Sequence, residues 1–226
     1  MIYVLELGKM HEMTNTIIRD ARPEDAATIA YLMYLAGRGH VRTSVLDLLF
    51  PGEPGPTPER LEQVEGLVRA QTRSMFHYSF YRVVEVDGEV AASAGTYHKE
   101  SPSIKEFVGA LEETGWDRGD FEEMGERMAP FLAVNPSIPD DALIVENVAT
   151  LEGFRRRGLT TALVADAISR GRREGFPRVQ LSCFIGNTPA ERAYRKIGFE
   201  VVDRYPSEPF EKIFGCPGMS RLVLWM

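Results

Sequence analysis

Cysteine is nearly missing from these 226 residues: only Cys183 and Cys216 occur, and not in a Cys-x-x-Cys spacing that would suggest a metal or redox centre. A reducing cytoplasm is the simple expectation, with Cys183, on an apolar β-prone segment, reading as a small core hydrophobe. The four histidines, His11, His40, His77 and His98, show no metal-ligand spacing, and no Ser-His-Asp arrangement can be inferred from their order. No metal is expected. No apolar run reaches the roughly 18 residues that span a bilayer, and the N-terminus lacks the basic start, long apolar block and small-residue cleavage site of a secretory signal. Residues 1–15 read as a short extension. Positive charge is also lacking overall, for the formal net charge is −7. That argues against a nucleic-acid-binding surface, which needs a basic face to neutralise phosphates.

With 44% hydrophobic residues there is enough apolar material for one large domain over 16–226. Thr16-Ile17-Ile18-Arg19 reads as a first strand and Arg22-Pro23-Glu24-Asp25 as a helix start, followed by the apolar stripe Ile29, Ala30, Leu32 and Met33. The proline-rich stretch 50–58 breaks regular structure and could be mobile. A second helix with Leu61, Val64, Leu67 and Val68 facing inward should follow. Asp87-Gly88, between two β-prone segments, signals a tight hairpin of second and third strands. Leu143 to Thr150 reads as a fourth strand, Leu159 to Arg173 as a long helix and Val179 to Phe184 as a fifth strand, which implies parallel pairing. A short helix from Pro189 ends at Gly198, and Phe199 to Tyr205 and Arg221 to Trp225 complete the sheet.

Positive charge is concentrated at one place. Val145 to Thr161 runs from the fourth strand through Arg155-Arg156-Arg157-Gly158 into the helix beginning Leu159-Thr160-Thr161. A helix start offers backbone N–H groups without intrahelical partners and the positive end of the macrodipole, so this junction is suited to a pyrophosphate. A nucleotide reading is weaker, because Gly158-Leu159-Thr160-Thr161 lacks the lysine of a P-loop and the glycine spacing of a dinucleotide fingerprint.

The arginine turn, together with Asn187-Thr188-Pro189-Ala190-Glu191-Arg192-Ala193-Tyr194-Arg195-Lys196-Ile197-Gly198-Phe199 and the start Ile17-Arg19-Ala21-Arg22-Pro23-Glu24-Asp25-Ala26, resembles the motif set of the GNAT superfamily of acetyl-CoA-dependent N-acetyltransferases over roughly 16–226. The family's Arg/Gln-x-x-Gly-x-Gly/Ala pattern is met at Arg155 and Gly158 and departs at Thr160, whose branched Cβ narrows the approach to a phosphate. The resemblance implies an α/β (α+β) fold: a mixed, mostly antiparallel twisted sheet of about seven strands flanked by helices. It also implies acetyl-CoA as co-substrate, held by Val148, Thr150, Arg155, Arg156, Arg157, Gly158, Leu159, Thr160, Thr161 and Asn187. The N–H and C=O groups of Val148 and Thr150 would pair with the pantetheine amides, and the Val148 N–H would face the thioester oxygen. Asn187 would contact the pantetheine arm or anchor the loop around it.

Acetyl transfer to an amine needs a base, an oxyanion donor and an acid for the departing thiolate. The resemblance assigns the base to Glu146 and the acid to Tyr194, whose phenol, with a reference pKa of about 10, is a donor at neutral pH. His98, after the third strand, is an alternative base. The expected function is direct transfer to a primary amine of a small molecule or peptide. The alternative is a non-catalytic acyl-CoA-binding sensor, to which Thr160 lends support and against which Glu146 and Tyr194 speak together.

Residues 98–142 exceed that core. Ile104, Phe107, Val108, Leu111 and then Phe121, Met124 and Met128 are spaced as two amphipathic helices, and the segment 98–142 as a whole carries eleven acids against four bases. Such a helical insertion between strands 3 and 4 could cover the acceptor side and draw in a cationic amine by its field. It could equally be a solvated elaboration or a homodimer contact.

Overall fold

The computed structural model describes residues 15–99 and 102–226, so the extension expected over 1–15 lies outside it except for Asn15. The strands are β1 (Thr16–Asp20), β2 (Tyr81–Val86), β3 (Glu89–Tyr97), β4 (Ala142–Thr150), β5 (Arg178–Phe184), β6 (Glu200–Pro206) and β7 (Gly218–Trp225). They form one sheet in the order β1-β2-β3-β4-β5-β7-β6, antiparallel throughout except for parallel β4 and β5. The helices are α1 (Ala26–Arg38), α2 (Val45–Leu49), α3 (Pro58–Arg69), α4 (Ile104–Glu113), α5 (Arg118–Leu132), α6 (Leu159–Glu174), α7 (Thr188–Ile197) and α8 (Glu208–Phe214).

Local chemistry accounts for the element boundaries. Asp87 and Gly88 both take positive φ, 51° and 88°, as a two-residue turn matching the strand twist requires. Asn187, Ser103 and Asp117 accept backbone N–H groups at the starts of α7, α4 and α5. Gly175 and Gly198 close α6 and α7 in the left-handed conformation.

The sheet is covered on both faces. Against one face pack Ile29, Ala30 and Met33 of α1, Val64, Leu67 and Val68 of α3, and Phe107 and Leu111 of α4, over Tyr81, Val83, Phe184 and Met219. Against the other pack Leu163, Val164, Ala167 and Ile168 of α6 and Tyr194 of α7, over Leu143, Val145, Val179, Leu181 and Cys183. Cys183 is buried, as expected of a core hydrophobe.

Three features differ from the sequence expectation. The 50–58 stretch is anchored, because the Arg60 guanidinium reaches back from α3 to the carbonyls of Phe50, Glu53 and Gly55 and pairs with Asp47 at 3.2 Å. Proline chemistry forbids regular structure there, but a buried arginine orders it. Ile104, assigned to the inner stripe of α4, is 70% exposed, since it is the first residue of the helix, ahead of the turn whose Phe107 and Leu111 face the core. Two short helices, α2 and α8, escaped the periodicity because five and seven residues are too few to display it.

The insertion helices are docked. Phe107 stacks on Phe76 with centroids 5.4 Å apart, Trp116 meets Phe50 edge-on at 5.6 Å, and Arg127 Nε donates to the Leu48 carbonyl at 3.1 Å. They add to the layer that holds α1 and α3. Among the described residues no helix is long and apolar enough to cross a membrane, and no group of three or more His, Cys, Asp or Glu side chains could hold a metal ion.

Candidate active site

β4 and β5 pair only at their first residues, Ala142–Ile144 against Arg178–Gln180. Beyond that the two strands part, β4 remaining on β3 and β5 on β7. A gap in the middle of a sheet leaves main-chain groups without strand partners. The Leu151 N–H donates to the Ala91 carbonyl, which makes the facing pair Thr150 and Ala92 a non-hydrogen-bonded one. The N–H and C=O of Thr150 therefore point away from β3, into the gap.

β4 is also bulged. The register against β3 slips between Ser93↔Ala149 and Gly95↔Glu146, so β4 carries one residue more than its partner, and Asn147 takes φ 52°. Tyr81 faces Gly95 and Gly95 faces Glu146, so these three residues lie in one row across β2, β3 and β4. Gly95 has to be glycine here, since a Cβ would sit 2.9 Å from Tyr81 Cζ.

Glu146 lies on the α1 and α3 face, beside Tyr81 and Tyr97. The residue keeps some contact with solvent at the gap, yet protein surrounds its carboxyl. That desolvation raises its pKa, against a hydrogen bond from Tyr97 that lowers it. Burial and the neighbouring Glu146 charge push the Tyr97 phenol well above its ordinary value. Among the described residues no cation pairs with Glu146.

Tyr194 lies on the opposite face, in the α6 and α7 layer, its ring edge-on to Phe199 at 6.1 Å. Burial raises its pKa, with a further contribution from Cys183, whose own thiol burial pushes up to about 12. The Tyr194 hydroxyl makes no hydrogen bond among the described residues. The two residues expected to exchange protons thus lie on opposite faces of the sheet.

The arginine turn follows β4 directly. Arg156 and Gly158 take positive φ, 64° and 78°, and Gly158 precedes α6, whose first N–H groups, on Leu159, Thr160 and Thr161, have no intrahelical partner. Arg155 Nε donates to the Thr150 carbonyl at 3.4 Å, while Arg157 reaches the Gly153 carbonyl at 3.2 Å and covers the Phe154 ring at 5.1 Å. Arg156 is exposed. The Thr160 hydroxyl lies 3.1 Å from that of Thr150, which ties the helix start to the strand end.

Asn187 caps α7, its Oδ1 accepting the Ala190 N–H at 3.3 Å, so in this structure it anchors the loop after β5. His98 does not join Glu146. It packs on Phe176 at 5.7 Å, toward the start of β4 and against the α6 layer.

Tyr81, Tyr97 and Asn147 were not singled out from the sequence. Gly95 and Asn147 carried a signal, since both are disfavoured inside strands and mark bulges or close approaches. The tyrosines carried none, because only the register shows which strand residues meet.

The unpaired main chain of the gap, the N–H groups of the α6 start and the arginines around it are one continuous set of donors and acceptors, which suits a long ligand with amides and a pyrophosphate. Two surface clefts lie elsewhere. One, of about 540 Å³, lies between α3 and the end of α4 and is lined by Glu59, Glu62, Gly66 and Glu113; the other, of about 650 Å³, is bordered by Arg69, Arg73 and His77. Neither touches the β4–β5 gap.

Comparison with known proteins agrees with this geometry. The model of the Acetyltransferase (GNAT) family matches residues 43–199. An N-acetyltransferase from Staphylococcus aureus Mu50 superposes with a TM-score of 0.64 at 24% identity, covering 92% of this chain and 100% of that one. A GCN5-related N-acetyltransferase from Kribbella flavida gives 0.54 at 18% identity, covering 93% and 98%. YncA from Salmonella typhimurium, solved with its cofactor acetyl-CoA, gives 0.55 at 17% identity, covering 93% and 94%. No curated protein shows significant sequence similarity to the chain.

Proposed function

The chain belongs to the Acetyltransferase (GNAT) family, whose members use acetyl-CoA, and from that premise we propose that it moves the acetyl group directly to a primary amine of a small molecule or peptide, without an acetyl-enzyme. The observation that carries this reading is that Glu146 and Tyr194 lie on opposite faces of a sheet in which β4 and β5 part after three residue pairs. Bound acetyl-CoA supplies the activated acetyl group. Arg155, Arg156, Arg157 and the N–H groups from Gly158 to Thr161 would hold its phosphates, and the gap-facing groups of Val148 and Thr150 its amides.

The chain's own residues then divide the proton work. Glu146 removes a proton from the ammonium of the acceptor on the α1 and α3 face, and its raised pKa moves it toward the range of a base working near neutrality. Tyr97 donates to the same carboxylate and keeps the charged form accessible. The main-chain N–H of Val148, beside the bulge, would serve as the donor for the oxyanion. Tyr194, with its pKa raised by burial, holds its proton at Oη for the departing thiolate.

The insertion helices lie on the Glu146 side of the sheet with their excess of acids, which favours a cationic amine as acceptor. We place residues 16–226 in one domain that includes them.

The test is calorimetric titration with acetyl-CoA and with ATP, followed by thiol release from acetyl-CoA across spermidine, tryptamine and a short peptide with a free N-terminus. Acetyl-CoA binding with amine-dependent release is the expected result. Binding with no release from any amine would replace the transferase by a CoA-binding sensor. A response to ATP alone would discard the cofactor assignment.

A further inference from the structure

Three non-glycine residues have φ above zero among those described: Asp87 in the β2–β3 turn, Arg156 in the arginine turn, and Asn147 inside a strand. Left-handed backbone costs an L-residue about 1–2 kcal/mol, least for asparagine, whose side chain can bond nearby. Here that side chain bonds across the sheet: Asn147 Nδ2 donates to Tyr81 Oη at 2.9 Å. Tyr81 is buried on β2, two strands away, and the bond passes over β3 at Gly95, the residue whose missing side chain makes room for the phenol ring.

The neighbours of Asn147 in the chain are Glu146 and Val148, the base and the N–H donor of the reading above, on which this inference rests. A bulge sets the directions of both. In a regular strand Glu146 and Val148 would point their side chains to the same face. With the extra residue at 147, Glu146 faces Tyr81 and Tyr97 while Val148 packs with the α6 layer. We propose that Asn147 and Tyr81 are positioning residues: their hydrogen bond holds the β4 bulge in the one conformation that aims the Glu146 carboxylate at the amine and the Val148 N–H at the acetyl carbonyl.

Two variants remove the bond, one sparing the ring packing and the other the backbone conformation. Tyr81→Phe keeps the ring over Gly95, and Asn147→Gly keeps a residue at ease with φ 52°. Each is expected to lower kcat about tenfold to a hundredfold, as small misplacements of reacting groups do, with the KM for acetyl-CoA within about threefold of wild type. The double variant should be no slower than the slower single one, since one bond can be lost only once. Amide hydrogen exchange with acetyl-CoA bound supplies a readout that needs no acceptor, and it should accelerate over residues 146–150 while α6 and β7 stay as in wild type.

Wild-type kcat in either single variant, additive losses in the double, or unchanged exchange over 146–150 would overturn the proposal. Glu146→Gln separates the two levels. If wild type turns over and Glu146→Gln does too, the base assignment falls; if Glu146→Gln is inactive while both bond-breaking variants match wild type, only the positioning role falls. Should no amine release thiol, exchange alone decides the positioning role.

Discussion

Arg60 and Glu146 are both charged side chains drawn out of water, and they are treated in opposite ways. Arg60 is 2% exposed and is met by Asp47 and by the carbonyls of Phe50, Glu53 and Gly55. Asp47 in turn accepts from Tyr34 Oη at 3.2 Å and from the N–H groups of Ser44 and Gly55, and the Tyr34 phenol, largely through burial, is pushed up to about 12. Glu146 has phenols for neighbours and, among the described residues, no countercharge. The charge that holds a loop is neutralised on every side; the charge proposed to exchange a proton is left with its pKa displaced.

Breaking each half of that contrast should give opposite signatures. Glu146→Gln is expected to reduce kcat/KM by about 10²–10⁴-fold, the range of a lost general base. The same change should raise the melting temperature at neutral pH. The folded-state pKa of Glu146 lies above its unfolded value, so over the intervening pH range the unfolded chain binds fewer protons and stability falls as pH rises; the amide removes that loss. Melting curves of both proteins at pH 4 and pH 8 check the sign, and a variant no more stable at pH 8 would contradict the displaced pKa. Arg60→Met should do the reverse, costing about 3–5 kcal/mol of stability by stranding Asp47 in the interior, read as a drop in denaturation midpoint.

Smaller effects sharpen the comparison. Tyr194→Phe should lower kcat about tenfold or more while acetyl-CoA binding stays within about threefold, and undiminished turnover would remove Tyr194 from the acid role. Arg155→Ala combined with Arg157→Ala should weaken acetyl-CoA by about 1.5–3 kcal/mol in calorimetry, the range of charge-assisted hydrogen bonds, and unchanged affinity would place the pyrophosphate elsewhere. Tyr97→Phe should shift the acid limb of the kcat/KM profile to higher pH, because the lost hydrogen bond had favoured the charged form of Glu146.

How far the site was legible depended on how local each feature is. Gly158 before an apolar helical repeat, with arginines ahead of it, states its conformation within a few residues, and the turn forms as read. The hairpin at Asp87-Gly88 and the end of α7 at Gly198 are equally local. Tyr81, Gly95 and Glu146 form a row only because β2, β3 and β4 pair in one register, and a one-residue slip would turn Tyr97 to the other face. The order imposed on the proline-rich stretch was hidden for a similar reason: its anchor, Arg60, sits on the following helix and looks in sequence like any surface arginine.

The amino-acid sequence by itself determined the order of the strands and of the longer helices and the glycine turn that starts α6, because turns, caps and periodicity act over a few residues; Glu146 and Tyr194 came from the family resemblance. Only the tertiary structure decided that β4 and β5 part after three residues, that Glu146 and Tyr194 lie on opposite faces of the sheet, and that Asn147 is bonded across the sheet to Tyr81. Those are consequences of strand register and of burial, which exist only once distant segments pack together.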